Sequence, residues 1–477
     1  MTRRRVLVGA GLAVVAACGR SPDKPSAPLA DAPAARTPPP ASVVRLLRAG
    51  GHAEAYSIPA LDREEWRSET APAIDTLVGA DYERHLIVVS DRKHNLVSLD
   101  LDERKVRTLA PQVRIATVGP DGTVYAVDTG RTILQISRRT TTRFPGRLAS
   151  APAGLFAGAG GTALALESGR VAVAGSDASR HVAVPRGPVA VTFWGDLLAV
   201  GTDSGVVLMD PQSRRQPVTI GGSAKARALV FSPSGHRLYA AGSGAEVLVI
   251  DRFGHSVLKR IRLPAAAADL RIDFFGNWLL AHAARGDSVW VVDLDAERVV
   301  GTLATAWSGD LPAVAAPRTL VARRDRDVVA LDLASPALTE VGRVKGGATD
   351  IWVPVSWAPA AAVTPDATAD TAQVAATPTA ARPDTAAAAA DTSRAPDAQA
   401  PVLYLQVSSS RNPDWANDLA SRLRAAGLAP SVLKPAGADE TYRVVLGPFT
   451  TREAAEETSR RLGMPSFVIT ARGDSGR

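Results

Sequence analysis

One short pattern recurs seven times through the middle of this 477-residue chain: an apolar run that ends on a small or polar turn residue. It reads LVSLD (Leu96–Asp100), ILQIS (Ile133–Ser137), VAVAG (Val171–Gly175), VVLMD (Val206–Asp210), VLVID (Val247–Asp251), VWVVD (Val289–Asp293) and VVALD (Val328–Asp332). Successive copies end 35 to 42 residues apart. Apolar runs this short, bounded by turn signals, are strands. Most copies follow another strand of the type HLIVVS, TVYAVD or RLYAAG and precede a more polar one such as KVRTLA, PVTIGG or LKRIRL. Turn signals such as Pro120-Asp121-Gly122 and Pro233-Ser234-Gly235 fall where a preceding strand should end. A period near 40 built only from short strands predicts a β-propeller with four strands per blade. Seven copies predict seven blades over residues 43–357. The segment near Ala53–Pro59, or the late strand Asp350–Trp357, is expected to close the ring by pairing with the opposite end.

The array resembles WD40 and YVTN-type propellers in architecture, although neither the Trp-Asp nor the Gly-His signature repeats. Within it no catalytic constellation is legible. The seven histidines (His52, His85, His94, His181, His236, His255, His282) fall in different blades without metal-ligand spacing, so no metal and no cofactor are expected. Gly158–Gly161 is glycine-rich but precedes no helix, which makes it a turn and not a phosphate cradle. Asp100, Asp210, Asp251, Asp293 and Asp332 recur at one structural position, which points to turn capping. Trp194, Trp278, Trp290 and Trp307 are expected to pack.

Two low-complexity stretches flank the array. Residues 19–42 are rich in Pro, Ala and Ser, as in a tether. Residues 358–400 are almost entirely Ala, Thr, Pro and Asp, a composition that buries too little apolar surface to fold. Extended at about 3.1 Å per residue, this second linker reaches on the order of 130 Å.

At the N-terminus Arg3, Arg4 and Arg5 precede the apolar run Val6–Ala17, too short for a bilayer core and suited to a signal-peptide core over residues 1–18. The run ends Val15-Ala16-Ala17-Cys18, which resembles the lipobox of bacterial lipoproteins. The resemblance implies that Cys18, the sole cysteine, carries the lipid. Gly19 stands where an inner-membrane retention aspartate would, so the periplasmic face of the outer membrane is expected. The start TRRRVLV also faintly resembles a twin-arginine export signal. The formal charge of +7 is scattered. It suits solubility or attraction to anionic envelope polymers, and no nucleic-acid partner is expected.

The last segment, residues 401–473, has a different grammar: strand, helix, strand, strand, helix, strand. VLYLQVSSS alternates, placing Leu403, Leu405 and Val407 on one face and Tyr404, Gln406 and Ser408 on the other. Asn412 and Pro413 start a helix in which Trp415, Ala416, Leu419, Ala420 and Leu423 recur, and Gly427 stops it. TYRVVLGPF alternates again, with Arg443 and Val445 opposite Val444. Thr450 and Glu453 read as a capping box for a second helix ending near Gly463. Two helices on one face of an antiparallel sheet leave the other face open.

The layout and the motifs LQVSSS and YRVVLGPF resemble the SPOR (sporulation-related repeat) domain. The resemblance implies binding of peptidoglycan, with preference for septal glycan strands stripped of stem peptides. It puts the glycan on the open face, where Gln406 and Ser409 match the first-strand motif and Arg443 the third. Tyr404 and Ser408 complete the candidate set. Amides and hydroxyls suit a hydroxyl-rich sugar, and a guanidinium suits a lactyl carboxylate. Gly447, Pro448 and Phe449 match the family's Gly-Pro-Phe as a structural turn, whereas Thr441 and Val445 replace open-face aromatics.

The expected molecule is therefore an all-β seven-bladed propeller followed by a small α+β (βαββαβ) SPOR-like domain, with disordered linkers. It is expected to be a non-enzymatic envelope lipoprotein in cell division or cell-wall organisation. It would be held by a membrane lipid and by glycan strands, with a protein partner on the propeller face. A propeller-fold hydrolase or lyase acting on cell-wall material is the alternative.

Overall fold

The computed structural model describes residues 41–359, except 82–84, 121, 138–139, 214, 222–224, 275, 316–317 and 336. Further on it describes residues 402–410, 413–425, 428–434, 442–451, 454–455, 458 and 467–471. The expectations for the leader with Cys18, the tether up to residue 40 and the linker over 360–400 lie outside the described residues.

Residues 42–355 form eight four-stranded antiparallel sheets, not seven. In seven of them the strands follow one another in chain order, from Ile74–Asp81 in the first to Thr339–Val344 in the last. The seven recurrent strands are the third strands of these blades. The eighth blade draws Ser42–Leu46, Gly51–Ser57 and Asp62–Ala71 from the front of the array and Ile351–Val355 from its end. Its third strand, GHAEAYS, mixes buried and half-exposed positions, so it lacks the unbroken apolar run that marks the others. That is why the repeat undercounts the blades by one.

Closure runs through a single antiparallel pairing, with Val44 opposite Val353 and Leu46 opposite Ile351. Ile351–Val355 also lies against the first strands of both neighbouring blades, which completes the ring. Alternation then gives this blade two apolar faces. Val44, Leu46, Trp66 and Val353 pack with Ile87, Val89 and Leu99 of the following blade. Val43, Tyr56 and Trp352 pack with Val321, Val328 and Ala330 of the last one. Trp352 is fully buried, and Trp66 meets Trp357 edge-on with ring centroids 5.2 Å apart.

The recurrent aspartates are turn caps. Asp100, Asp210, Asp251, Asp293 and Asp332 each accept a hydrogen bond from the backbone N–H two residues on, at 2.7 to 3.1 Å.

A buried charge network rivets the closing seam. Arg323 holds Asp310 through two parallel hydrogen bonds of 3.1 and 2.7 Å, and the same carboxylate accepts the Trp352 N–H at 2.9 Å. Arg45 pairs with Asp350 at 2.7 Å. Burial by itself pushes the Asp310 carboxyl upward, but the Arg323 guanidinium and the Trp352 and Ser308 donors outweigh it and hold the group below its ordinary value.

Two outcomes follow. Asp310→Asn should destabilise the propeller by about 3–5 kcal/mol in chemical denaturation, because it strands the Arg323 charge in the seam. The native Asp310 carboxyl is depressed, so its contribution is present above the unfolded value of about 3.9 and is lost as pH falls through the folded one. Wild type should therefore lose thermal stability on acidification more steeply than the variant.

Candidate glycan-binding face and the propeller channel

In the C-terminal domain the central strand Val402–Ser410 pairs antiparallel with Tyr442–Phe449 on one side and Phe467–Ala471 on the other. Pro430–Leu433 adds to the outer edge of Tyr442–Phe449. The helix Pro413–Ala425 begins on the proline that needs no N–H partner there. Its Ala416, Leu419, Ala420 and Leu423 pack onto Leu405, Val407, Val444 and Leu446, which fixes the covered face of the sheet. The second helix lies mostly outside the described residues. Its cap falls one residue later than expected, since the Ala454 N–H donates to Thr451 Oγ1 at 3.2 Å.

Two irregularities interrupt the pairing of the central strand with Tyr442–Phe449. At the first, Gly447 and Pro448 are extra residues opposite Tyr404. Gly447 has φ +121°, a left-handed conformation, and a Cβ there would stand 3.0 Å from the Phe449 ring. At the second, Val407 is the extra residue. Before it Gln406 stands opposite Val445, and after it Ser408 stands opposite Val444 and Ser409 opposite Arg443. Such a bulge inverts simple alternation. Directly opposed residues share a face, so Gln406 shares a face with Val445 and, by alternation along Tyr442–Phe449, with Arg443.

Tyr404, Gln406 and Arg443 are half-buried. Val445, expected on the open face, is fully buried in an interior strand between Ser431 and Gln406. One position escaped sequence reasoning. Phe467 pairs with Gln406 from the other side, giving the cross-sheet row Ser431, Val445, Gln406, Phe467. The signal for it is SFVIT itself, read against the partner strand. Cys18 lies outside the described residues.

In the propeller, a cavity of about 200 Å³ lies between the first strands of four blades, lined by Leu77, Arg271, Asp273, Asp310, Val314 and Val353 among others. Its polar groups are engaged. Arg271 donates to the Ser308 and Pro312 carbonyls at 2.7 Å and sits 4.4 Å over the Trp307 ring. Burial pushes this guanidinium below its ordinary value despite Asp269 and Asp310. Asp273 accepts the Trp278 N–H at 2.6 Å. No histidine, cysteine, serine or threonine is in the lining, and among the described residues no group of His, Cys, Asp or Glu is placed to hold a metal. Trp278 and Trp290 are buried packing residues, whereas Trp307 stacks on His282 at 5.1 Å.

The C-terminal unit thus has the form of a small sheet with one helix-covered face and one face carrying polar side chains. Residues 400–470 match the SPOR domain, so this segment is a SPOR domain. A SPOR domain implies binding of peptidoglycan glycan strands and work in the cell envelope. Among the described residues no helix is long and apolar enough to cross a membrane.

No curated protein matches the chain in sequence. Among solved structures it is similar to dihydro-heme d1 dehydrogenase NirN in complex with DHE, at 16% identity over 68% of this chain and 76% of that one, with a TM-score of 0.48. It is also similar to apo AztD from Citrobacter koseri, at 11% identity over 66% and 98% of the two chains and a TM-score of 0.44. A third is Kluyveromyces lactis Hsv2, at 11% identity over 54% and 92% with a TM-score of 0.42. The propeller assignment rests on the sheet topology, not on these likenesses.

Gly447→Ala should destabilise the C-terminal domain by about 1 kcal/mol or more, since alanine must adopt a left-handed backbone against Phe449. Thermal unfolding followed in that domain checks it.

Proposed function

We propose that this chain is a non-enzymatic envelope lipoprotein that docks on denuded septal peptidoglycan and presents a propeller as a scaffold in cell division or cell-wall organisation. The lipid on Cys18 holds it at the periplasmic face of the outer membrane. The SPOR domain supplies the second anchor, with Gln406, Ser409 and Arg443 as the principal glycan contacts and Tyr404 beside them. The observation that supports this reading is the register that sets Gln406 opposite Val445 and so, with Arg443, on the side of the sheet away from the helix. Amide, hydroxyl and guanidinium are the donors and acceptors a carboxylated sugar polymer needs. Ser408, opposite Val444, plays a lesser part.

The scaffold role is supported by the engagement of the channel's polar groups in structural contacts. It is supported too by exposed Phe193 and Phe253 on adjacent blades, joined by the Asp196–Arg252 ion pair, which offer aromatic anchors to a protein partner.

The combined Gln406→Ala and Ser409→Ala substitutions should weaken cosedimentation with purified sacculi about tenfold, the loss of two hydrogen bonds. Unchanged binding would remove the site from these residues. Cys18→Ser should move the protein from the membrane fraction to the soluble one, and persistence in the membrane fraction would remove the lipid anchor.

A further inference from the structure

In a four-stranded meander, strands one and three run one way and strands two and four the other. Links between strands two and three, and from strand four to the next blade, therefore gather at one end of the ring, and the other hairpins at the opposite end. The propeller chain begins at Ser42, the start of a second strand, and ends after Val355, the end of a first strand. Both chain ends thus leave from the same end, here termed proximal. The distal end carries neither Ser42 nor Val355.

The two ends differ in charge. Distal links of six blades carry exposed arginines: Arg92, Arg147, Arg186, Arg227, Arg285 and Arg326. None is ion-paired among the described residues. The exposed carboxylates in these links are fewer, Asp203, Asp287 and Asp325. The proximal end instead holds the turn-capping aspartates described above. Exposed large apolar side chains avoid the distal end: Phe193 and Phe253 sit in proximal hairpins, and Leu258 and Val341 on outermost strands.

We infer that the distal end is a second docking surface for the carboxylate-bearing peptidoglycan polymer. A protein interface is centred on buried aromatic or aliphatic anchors, and stable membrane association draws on apolar insertion as well as charge. The distal end provides neither. A flat ring of unpaired guanidiniums spaced from blade to blade suits an extended, hydrophilic polyanion, and guanidinium meets carboxylate in a fork. The inference rests on the SPOR domain binding that polymer.

The test uses the full chain with Cys18→Ser, so that no lipid mediates vesicle binding, and purified sacculi at low and high salt. In a background of Gln406→Ala and Ser409→Ala, the residual binding at low salt should fall about fivefold or more when Arg92, Arg186, Arg227 and Arg285 are changed to Gln, four exposed charges together. A control with the same charge loss on outermost strands, Arg67, Arg143, Arg262 and Arg298 to Gln, should retain it. Equal loss in both variants overturns the inference, as does binding of vesicles rich in anionic phospholipid in preference to sacculi. The loss on Gln406→Ala and Ser409→Ala reports the SPOR face and the further loss on the four distal arginines the distal end, so the failure of either reading is visible by itself.

Discussion

The pairing of Ser42–Leu46 with Ile351–Val355 is the constraint on which the propeller depends. A blade has two apolar faces and cannot bury both alone, so each relies on its neighbours. An open array would leave two such faces in water. The closing blade removes both, and it does so by joining segments whose Arg45 and Asp350 stand 305 positions apart. The entropy of closing so long a loop grows only logarithmically with length, and it is met by many contacts at once. Trp352 fills the seam toward the last blade while Trp66 and Trp357 fill the seam toward the first.

The charges in that seam act differently from the tryptophans. Desolvating Asp310 and Arg323 is costly, and apolar residues of similar volume often stabilise as well or better. What the pair adds is discrimination: Asp310 accepts the Trp352 N–H, and Arg323 donates to the Ala348 and Asp350 carbonyls, so a slipped closing strand leaves buried groups unmatched. Register matters there because a slip of one residue would turn Trp352 to the wrong face.

How much was legible in the sequence follows from where burial is one-sided. Third strands buried on both faces read as unbroken apolar runs, so seven blades announced themselves. Gly51–Ser57 is partly polar and assembled from chain ends, and its blade was invisible to the repeat. The C-terminal domain shows the same limit on a smaller scale. The strand and the first helix were readable, but the bulge at Val407 was not, because a bulge is a relation between two strands. Alternation alone does not reveal that the register pairs Ser408 with Val444 and Ser409 with Arg443. The adjacency of Phe467 to Gln406 is hidden for the same reason, and the shift of the second cap from Thr450 to Thr451 turns on which of two adjacent threonines the backbone presents.

The exit of both chain ends from one side of the ring has a consequence for the two-anchor reading. A tether on each side of the propeller would place the ring in series between membrane and glycan, and any tension would run through its blades. With both exits proximal, Ser42–Leu46 and Ile351–Val355 are adjacent strands of one sheet, so under the proposed two-anchor reading a pull on both ends would act on their shared ladder near its proximal end and leave the other seven blades outside the load path. The closing pairing that the fold depends on would then also be the element that bears that load. The buried Arg323–Asp310 and Arg45–Asp350 pairs are set at the start of Ile351–Val355, away from the end where a pull would begin. Strand separation would have to travel the length of the ladder before the charges came apart.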